Sequence, residues 1–165
     1  MQVPLLPRAT PAHVGRVWPA AFRRLQAGYD ADHLYRMPQF DSISEPAITS
    51  LVNRFYGKAR RDPMIGPVFN SAVSDWDEHL GKLYEFWSSV MLTTGRYKGN
   101  PMAAHLKHPI KPEFFDRWLA LWRETAGEIF APDIAAQFVM KAGRISESLK
   151  LALFYRPDAI PIARR

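Results

Sequence analysis

An all-α fold is what this sequence predicts, and three observations predict it. Apolar residues recur with the 3.6-residue period of a helix over four long stretches. Ser, Asp and Pro stand where helices start, and Pro or Gly stand where they stop. No stretch alternates apolar and polar residues convincingly enough for a strand. With 165 residues, 47% of them apolar and 13% aromatic, the chain is long enough for one domain with a sizeable core.

Residues 1–39 read as a Pro- and Arg-rich extension. Pro4, Pro7, Pro11 and Pro19 interrupt every apolar run, so no secretory signal core forms, and no acidic residue precedes Asp30 while Arg8, Arg16, Arg23 and Arg24 do. That bias is faintly similar to an organelle transit peptide. The plainer expectation is a poorly ordered extension, with Met37 as an alternative start. The folded domain is expected over residues 40–156, with a short tail over 157–165.

The first helix is predicted from Ser44, a capping residue with Pro46 in the first turn, and carries Ile48, Leu51, Val52, Phe55 and Tyr56 on one face until Arg60-Arg61-Asp62-Pro63 stops it. Gly66-Pro67-Val68-Phe69 reads as a corner. Ser74 is expected to open the second helix, with Asp77 completing an acidic capping box and Trp76, His79, Leu80, Leu83, Phe86, Trp87 and Val90 forming a buried stripe. A Gly-rich break over 94–101 leads into a short apolar turn that holds His105 between Pro101 and Pro109. Pro112 starts a third helix with Phe115, Trp118, Leu119, Trp122 and Ile129 inward. A fourth is predicted from Asp133 to Pro157, burying Ile134, Phe138, Ala142, Ile145, Leu149 and Ala152 or Leu153.

Composition narrows the function. The formal charge is +6, yet residues 1–36 hold five Arg against two Asp, so about half the excess lies outside the domain and no helix face carries a phosphate-tracking stripe. Nucleic acid and membrane are therefore not expected partners, and no apolar run approaches the ~18 residues that span a bilayer. The absence of cysteine removes disulfides, thiolate ligation and covalent haem attachment together.

What remains is a histidine on a firm turn facing three helices that carry Tyr56, His79 and Trp118. One imidazole able to hold an iron, opposed by polar rings able to touch a gas on that iron, is what a haem pocket requires. Ala103 and Ala104 beside His105 would let a flat macrocycle approach. Each residue also has a plainer reading: His105 as a hydrogen-bonded core imidazole, Tyr56 and Trp118 as packing, Phe69 as a plug, Lys82 as a solvated charge. His108 is the alternative iron ligand. Phe69 could wedge a haem edge, and Lys82 could pair with a propionate.

These blocks together carry a family resemblance. Phe55-Tyr56 followed by Arg-Arg-Asp-Pro and Ile65-Gly66-Pro67-Val68-Phe69, then Trp76-Asp77-Glu78-His79 with Phe86-Trp87, then Tyr97-Lys98-Gly99-Asn100-Pro101 before His105, then Phe114-Phe115-Asp116-Arg117-Trp118-Leu119, resemble the group III truncated haemoglobins over about residues 40 to 155. The resemblance implies a truncated-globin two-over-two helical sandwich enclosing non-covalent haem b. It makes His105 the proximal iron ligand, Tyr56, His79 and Trp118 the distal residues, Leu83 the apolar residue over the ligand and Phe69 the haem-packing phenylalanine. The long N-terminal segment departs from the family's compact pattern.

The expected activity is binding of oxygen, NO or CO at a five-coordinate iron. Two distal donors would slow oxygen release, which suits ligand capture or detoxification better than bulk transport. Peroxidase-like chemistry or NO dioxygenation are the enzymatic alternatives, the latter with an unidentified reductase, since no flavin or dinucleotide fingerprint is present. A cytoplasmic monomer is expected. The alternative from another class is a basic helical interaction module without haem.

Overall fold

The computed structural model describes residues 40–155; the extension over 1–39, its transit-like bias and alternative start, and the tail over 157–165 lie outside the described residues. Six helices make up the fold of the described residues. Helix α1 (Glu45–Ala59) starts where Ser44, in extended conformation, accepts the amide of Ala47 at 3.4 Å, with Pro46 in the first turn. All five residues of its expected face are buried, joined by Ala47 and Ala59. Each large apolar side chain sealed in this way stabilises the fold by ~1.5–3 kcal/mol. At its C-terminal end Lys58 reaches Glu124 at 2.6 Å and Glu128 at 2.8 Å.

The corner over 66–69 is in fact a helix, α2 (Gly66–Ala72), too short to show a period in the sequence. Asp62 builds it. One carboxylate oxygen accepts the amides of Met64 at 3.0 Å and Ile65 at 3.1 Å, and the other takes Nε and a terminal nitrogen of Arg117 at 2.7 and 2.6 Å. Burial opposes ionisation of Asp62, but the Arg117 bond and the two amides outweigh it and hold the carboxyl below its usual range. Gly66 is required at the join, because a Cβ there would stand 2.8 Å from the Arg60 carbonyl.

Helix α3 (Trp76–Leu92) is capped by Asp75 and not by Ser74 as expected; the Asp75 carboxylate accepts the Glu78 amide at 3.0 Å. It stops at Thr93, whose φ of 59° is left-handed. Of its expected stripe only Trp87 is fully buried, together with Ser88, because the helix faces a cavity as well as α1. Helix α4 (Pro101–His105) is capped by Asn100, which accepts the Ala103 amide at 3.1 Å, and it has no fully buried residue.

Helices α5 (Pro112–Ile129) and α6 (Pro132–Phe154) are linked by Phe130 and Ala131 alone. The fourth long helix thus begins one residue earlier than expected and ends three residues before Pro157. Leu153 is buried in its last turn while Ala152 is exposed. Phe40 forms an isolated bridge with Phe130, clipping the start of the described chain to this link. In outline α1 packs on α3, α5 on α6, and α1 across onto α5, giving two stacked helix pairs with α4 against α6. No helix among the described residues is long and apolar enough to cross a membrane.

Candidate functional site

Between the pairs lies a cavity of about 470 Å³ whose walls come from all six helices. That size falls in the ~300–1,000 Å³ range of small-molecule and cofactor sites. Its lining brings together Tyr56, Phe69, His79, Lys82, Leu83, His105 and Trp118.

His105 ends α4 and is half-buried. Its Nδ1 lies 2.7 Å from the carbonyl oxygen of Pro101, one turn back in the same helix. That carbonyl can only accept, so the ring carries its proton on Nδ1 and leaves Nε2 with a free lone pair. Its ring lies 25° from the plane of Phe115 at 6.3 Å. His108 borders the same cavity but is exposed, and no partner among the described residues fixes its ring. Ala104 reaches the cavity wall and Ala103 does not.

Tyr56, 5% exposed, stands edge-on to Phe55 at 4.9 Å, Phe69 at 5.6 Å and His79 at 5.9 Å. Burial pushes the phenol well above its usual pKa, only partly offset by the neighbouring Trp118 indole N–H, so Tyr56 keeps its proton at any physiological pH. The two donors expected to face a ligand therefore stand side by side on this wall.

His79 is half-buried on α3, and its Nε2 is fully enclosed with no hydrogen-bond partner. Burial, then the charge of Lys82, pull its pKa below 6.5, so it is neutral near pH 7. A buried nitrogen left unpaired costs ~1–3 kcal/mol, a debt that a polar guest in the cavity can relieve. Lys82 stands exposed at the rim with Nζ 2.6 Å from Glu78, one turn away. Such a surface pair has little net worth, and an incoming anion can replace Glu78. Leu83 and Phe69 present apolar surface.

Sequence reasoning missed part of the wall. Tyr97 belongs to it, held by its amide donating to Ser89 Oγ at 2.9 Å and by its ring against Phe86 at 5.2 Å. The signal was an aromatic inside an otherwise Gly-rich break. The Asp62–Arg117 contact, one residue from Trp118, was missed as well.

The donor set fits haem. Among the described residues no cluster of three or more His, Cys, Asp or Glu could cage a bare metal ion. A lone imidazole with a free Nε2 holds a metal when a prosthetic group fills the rest of the coordination sphere, and flat apolar walls with an anion-seeking lysine at the rim suit a macrocycle with carboxylate arms.

Known proteins resemble this chain in sequence and in fold. Residues 39–142 match the family model described as bacterial-like globin. The chain is 32% identical over 121 residues to the group 3 truncated hemoglobin ctb of Campylobacter jejuni, covering 70% of this chain and 95% of that protein. It is 28% identical over 95 residues to the group 2 truncated hemoglobin YjbI of Bacillus subtilis, covering 54% of this chain and 70% of that protein. The crystal structure of the group III truncated hemoglobin from Campylobacter jejuni superposes with a TM-score of 0.67 at 33% identity, covering 72% of this chain and 96% of the other.

Proposed function

Because this chain belongs to the bacterial-like globin family, whose members are haem-binding globins, we propose that it holds haem b non-covalently through His105 Nε2 and captures small diatomic ligands, oxygen, NO or CO, on the opposite face. The observation that carries this reading is the His105 imidazole locked by the Pro101 carbonyl on one wall, with the Tyr56–Trp118 pair on another. Bound there, haem supplies an iron with one position left open to a small ligand.

The chain's own residues do the rest. Pro101 fixes the tautomer and orientation of His105. Tyr56 donates its O–H to a ligand that has gained negative charge, and Trp118 holds the phenol in place. Leu83 and Phe69 keep water away, and Lys82 exchanges Glu78 for a propionate. Neutral His79 is placed to accept or pass a proton. A strong donor at the ligand favours capture or detoxification over delivery, in a cytoplasmic monomer re-reduced by a separate reductase.

Titration of the purified chain with haem tests the reading: an intense Soret band and a five-coordinate ferrous spectrum are expected. His105→Ala should lose both until free imidazole is added, while His108→Ala should keep them. Haem uptake unchanged by His105→Ala would overturn the assignment.

A further inference from the structure

A stack of three indoles runs from the pocket wall into the core. Trp118 and Trp122 on α5 lie 13° from parallel with centroids 5.0 Å apart, and Trp122 and Trp87 of α3 lie 19° from parallel at 4.4 Å. The two outer indoles border the cavity, and the middle one is 0% exposed. Elsewhere in this core Phe55 meets Tyr56, Trp118 and Trp122 edge to face. Burial alone does not ask for three parallel indoles.

We propose that Trp118, Trp122 and Trp87 are an electron store for the pocket, giving up one electron when a peroxide is reduced there. This rests on the haem-binding reading. With haem bound, reduction of hydrogen peroxide would take two electrons as the O–O bond breaks, releasing one oxygen as water that carries both protons and leaving the other with the cofactor. The cofactor would supply one electron and the indole stack the second, leaving an indole radical cation, so charge and atoms balance with no net proton released.

Three properties suit the stack to this. A positive charge on one indole is met by the electron-rich face of the next, which lowers the cost of removing an electron. Trp122 Nε1 is buried with no hydrogen-bond partner, so an oxidised ring has nowhere to send its N–H proton and can be re-reduced without chemical change. The chain has no cysteine to compete for the vacancy. Tyr56, although nearer the ligand, would have to lose a phenol proton that its buried setting holds firmly.

The test mixes the ferric, haem-loaded full chain with one equivalent of hydrogen peroxide, freezes it within milliseconds and records the electron paramagnetic resonance spectrum. An indole cation radical is expected, lost in Trp122→Phe, and kept in Tyr97→Phe. Circular dichroism and the Soret maximum of Trp122→Phe confirm an intact fold and pocket. A tyrosyl radical that survives Trp122→Phe, or no protein radical at all, overturns the proposal. A second arm uses azide radicals from pulse radiolysis on the chain as purified, with or without porphyrin. A broad near-infrared band of a shared indole cation, lost in Trp122→Phe, supports the stack. Its absence from the parent protein refutes it, while failure to take up haem would sink only the proposed function.

Discussion

Replacing Tyr56 by Phe removes one hydroxyl from the cavity and leaves the ring packing against Phe55, Phe69 and His79 in place. A hydrogen bond to a charged group is worth ~1.5–3 kcal/mol, which converts to roughly 10- to 150-fold in a dissociation rate. The structure sets the expectation at the lower end. The Trp118 indole N–H stands beside the Tyr56 phenol, and in Tyr56→Phe it can turn to the ligand in its place. Oxygen dissociation should therefore quicken about tenfold in the single variant. Trp118→Phe loses a neutral hydrogen bond of ~0.5–1.5 kcal/mol and should quicken it by a factor of ~2 to 10. The double variant has no substitute donor, so its rate should exceed the product of the two single effects. Stopped-flow replacement of oxygen by carbon monoxide on the ferrous protein reads all four rates. Effects that add within ~0.3–0.5 kcal/mol would mean that the two side chains act independently, and an unchanged rate in Tyr56→Phe would place its hydroxyl away from the ligand.

The remaining expectations concern the frame around the pocket. Asp62→Asn should cost ~2 kcal/mol in urea unfolding: two bonds to Arg117 and one amide acceptor are disturbed, but Arg117 is partly exposed and turns to water. The contribution of Asp62 is fully present above its unfolded pKa near 3.8 and is lost as pH falls through its lower folded value, an effect the Asn variant should lack. Gly66→Ala should destabilise by ~1–3 kcal/mol because its methyl meets the Arg60 carbonyl, whereas Gly57→Ala, with open space beside it in the last turn of α1, should stabilise by ~0.5–1 kcal/mol. His79 has a folded pKa below 6.5 beside Lys82, Tyr56 and His105, so the folded chain binds protons there more weakly than the unfolded one. Its contribution is complete above pH 6.5 and fades below it. The melting temperature of haem-free protein should drop less steeply under pH 6.5 in His79→Gln, and a parallel drop would refute the assignment.

How far the sequence could be read followed from the range of the forces involved. Helix α1 was legible to the residue because Ser44, Pro46 and a one-sided apolar face all act within a few positions, and the core meets all of that face. In α3 the period was right but the burial was not: Leu83 and Phe86 keep helical spacing while bordering a cavity, and a spacing argument cannot distinguish a wall from a core. Ser74 and Asp75 are both competent caps, and only backbone geometry selects the carboxylate. Helix α2 escaped notice because its seven residues hold less than two full apolar repeats and owe their start to Asp62, whose other partner is 55 residues away. At the site, residue types pointed to His105, Tyr56, His79 and Trp118, but the pairing of Trp118 with Tyr56 and the parallel indoles depend on how α1, α3 and α5 meet. Tyr97 sits on the wall through a tether to Ser89 that no local pattern encodes.

Helix α4 carries the most important side chain of the pocket yet anchors none of its own residues deeply. Such an element has little to hold it in an empty molecule and should open on a local scale well below the free energy of global unfolding. A flat apolar guest supplies the surface it lacks and acts as the largest single piece of the hydrophobic interior. Tight binding at a thousandfold excess over the dissociation constant would add ~4 kcal/mol to stability, and amides 101–108 should gain the greatest share of protection against hydrogen exchange. On the proposed function, folding is then finished by the cofactor, last of all at the turn that carries His105.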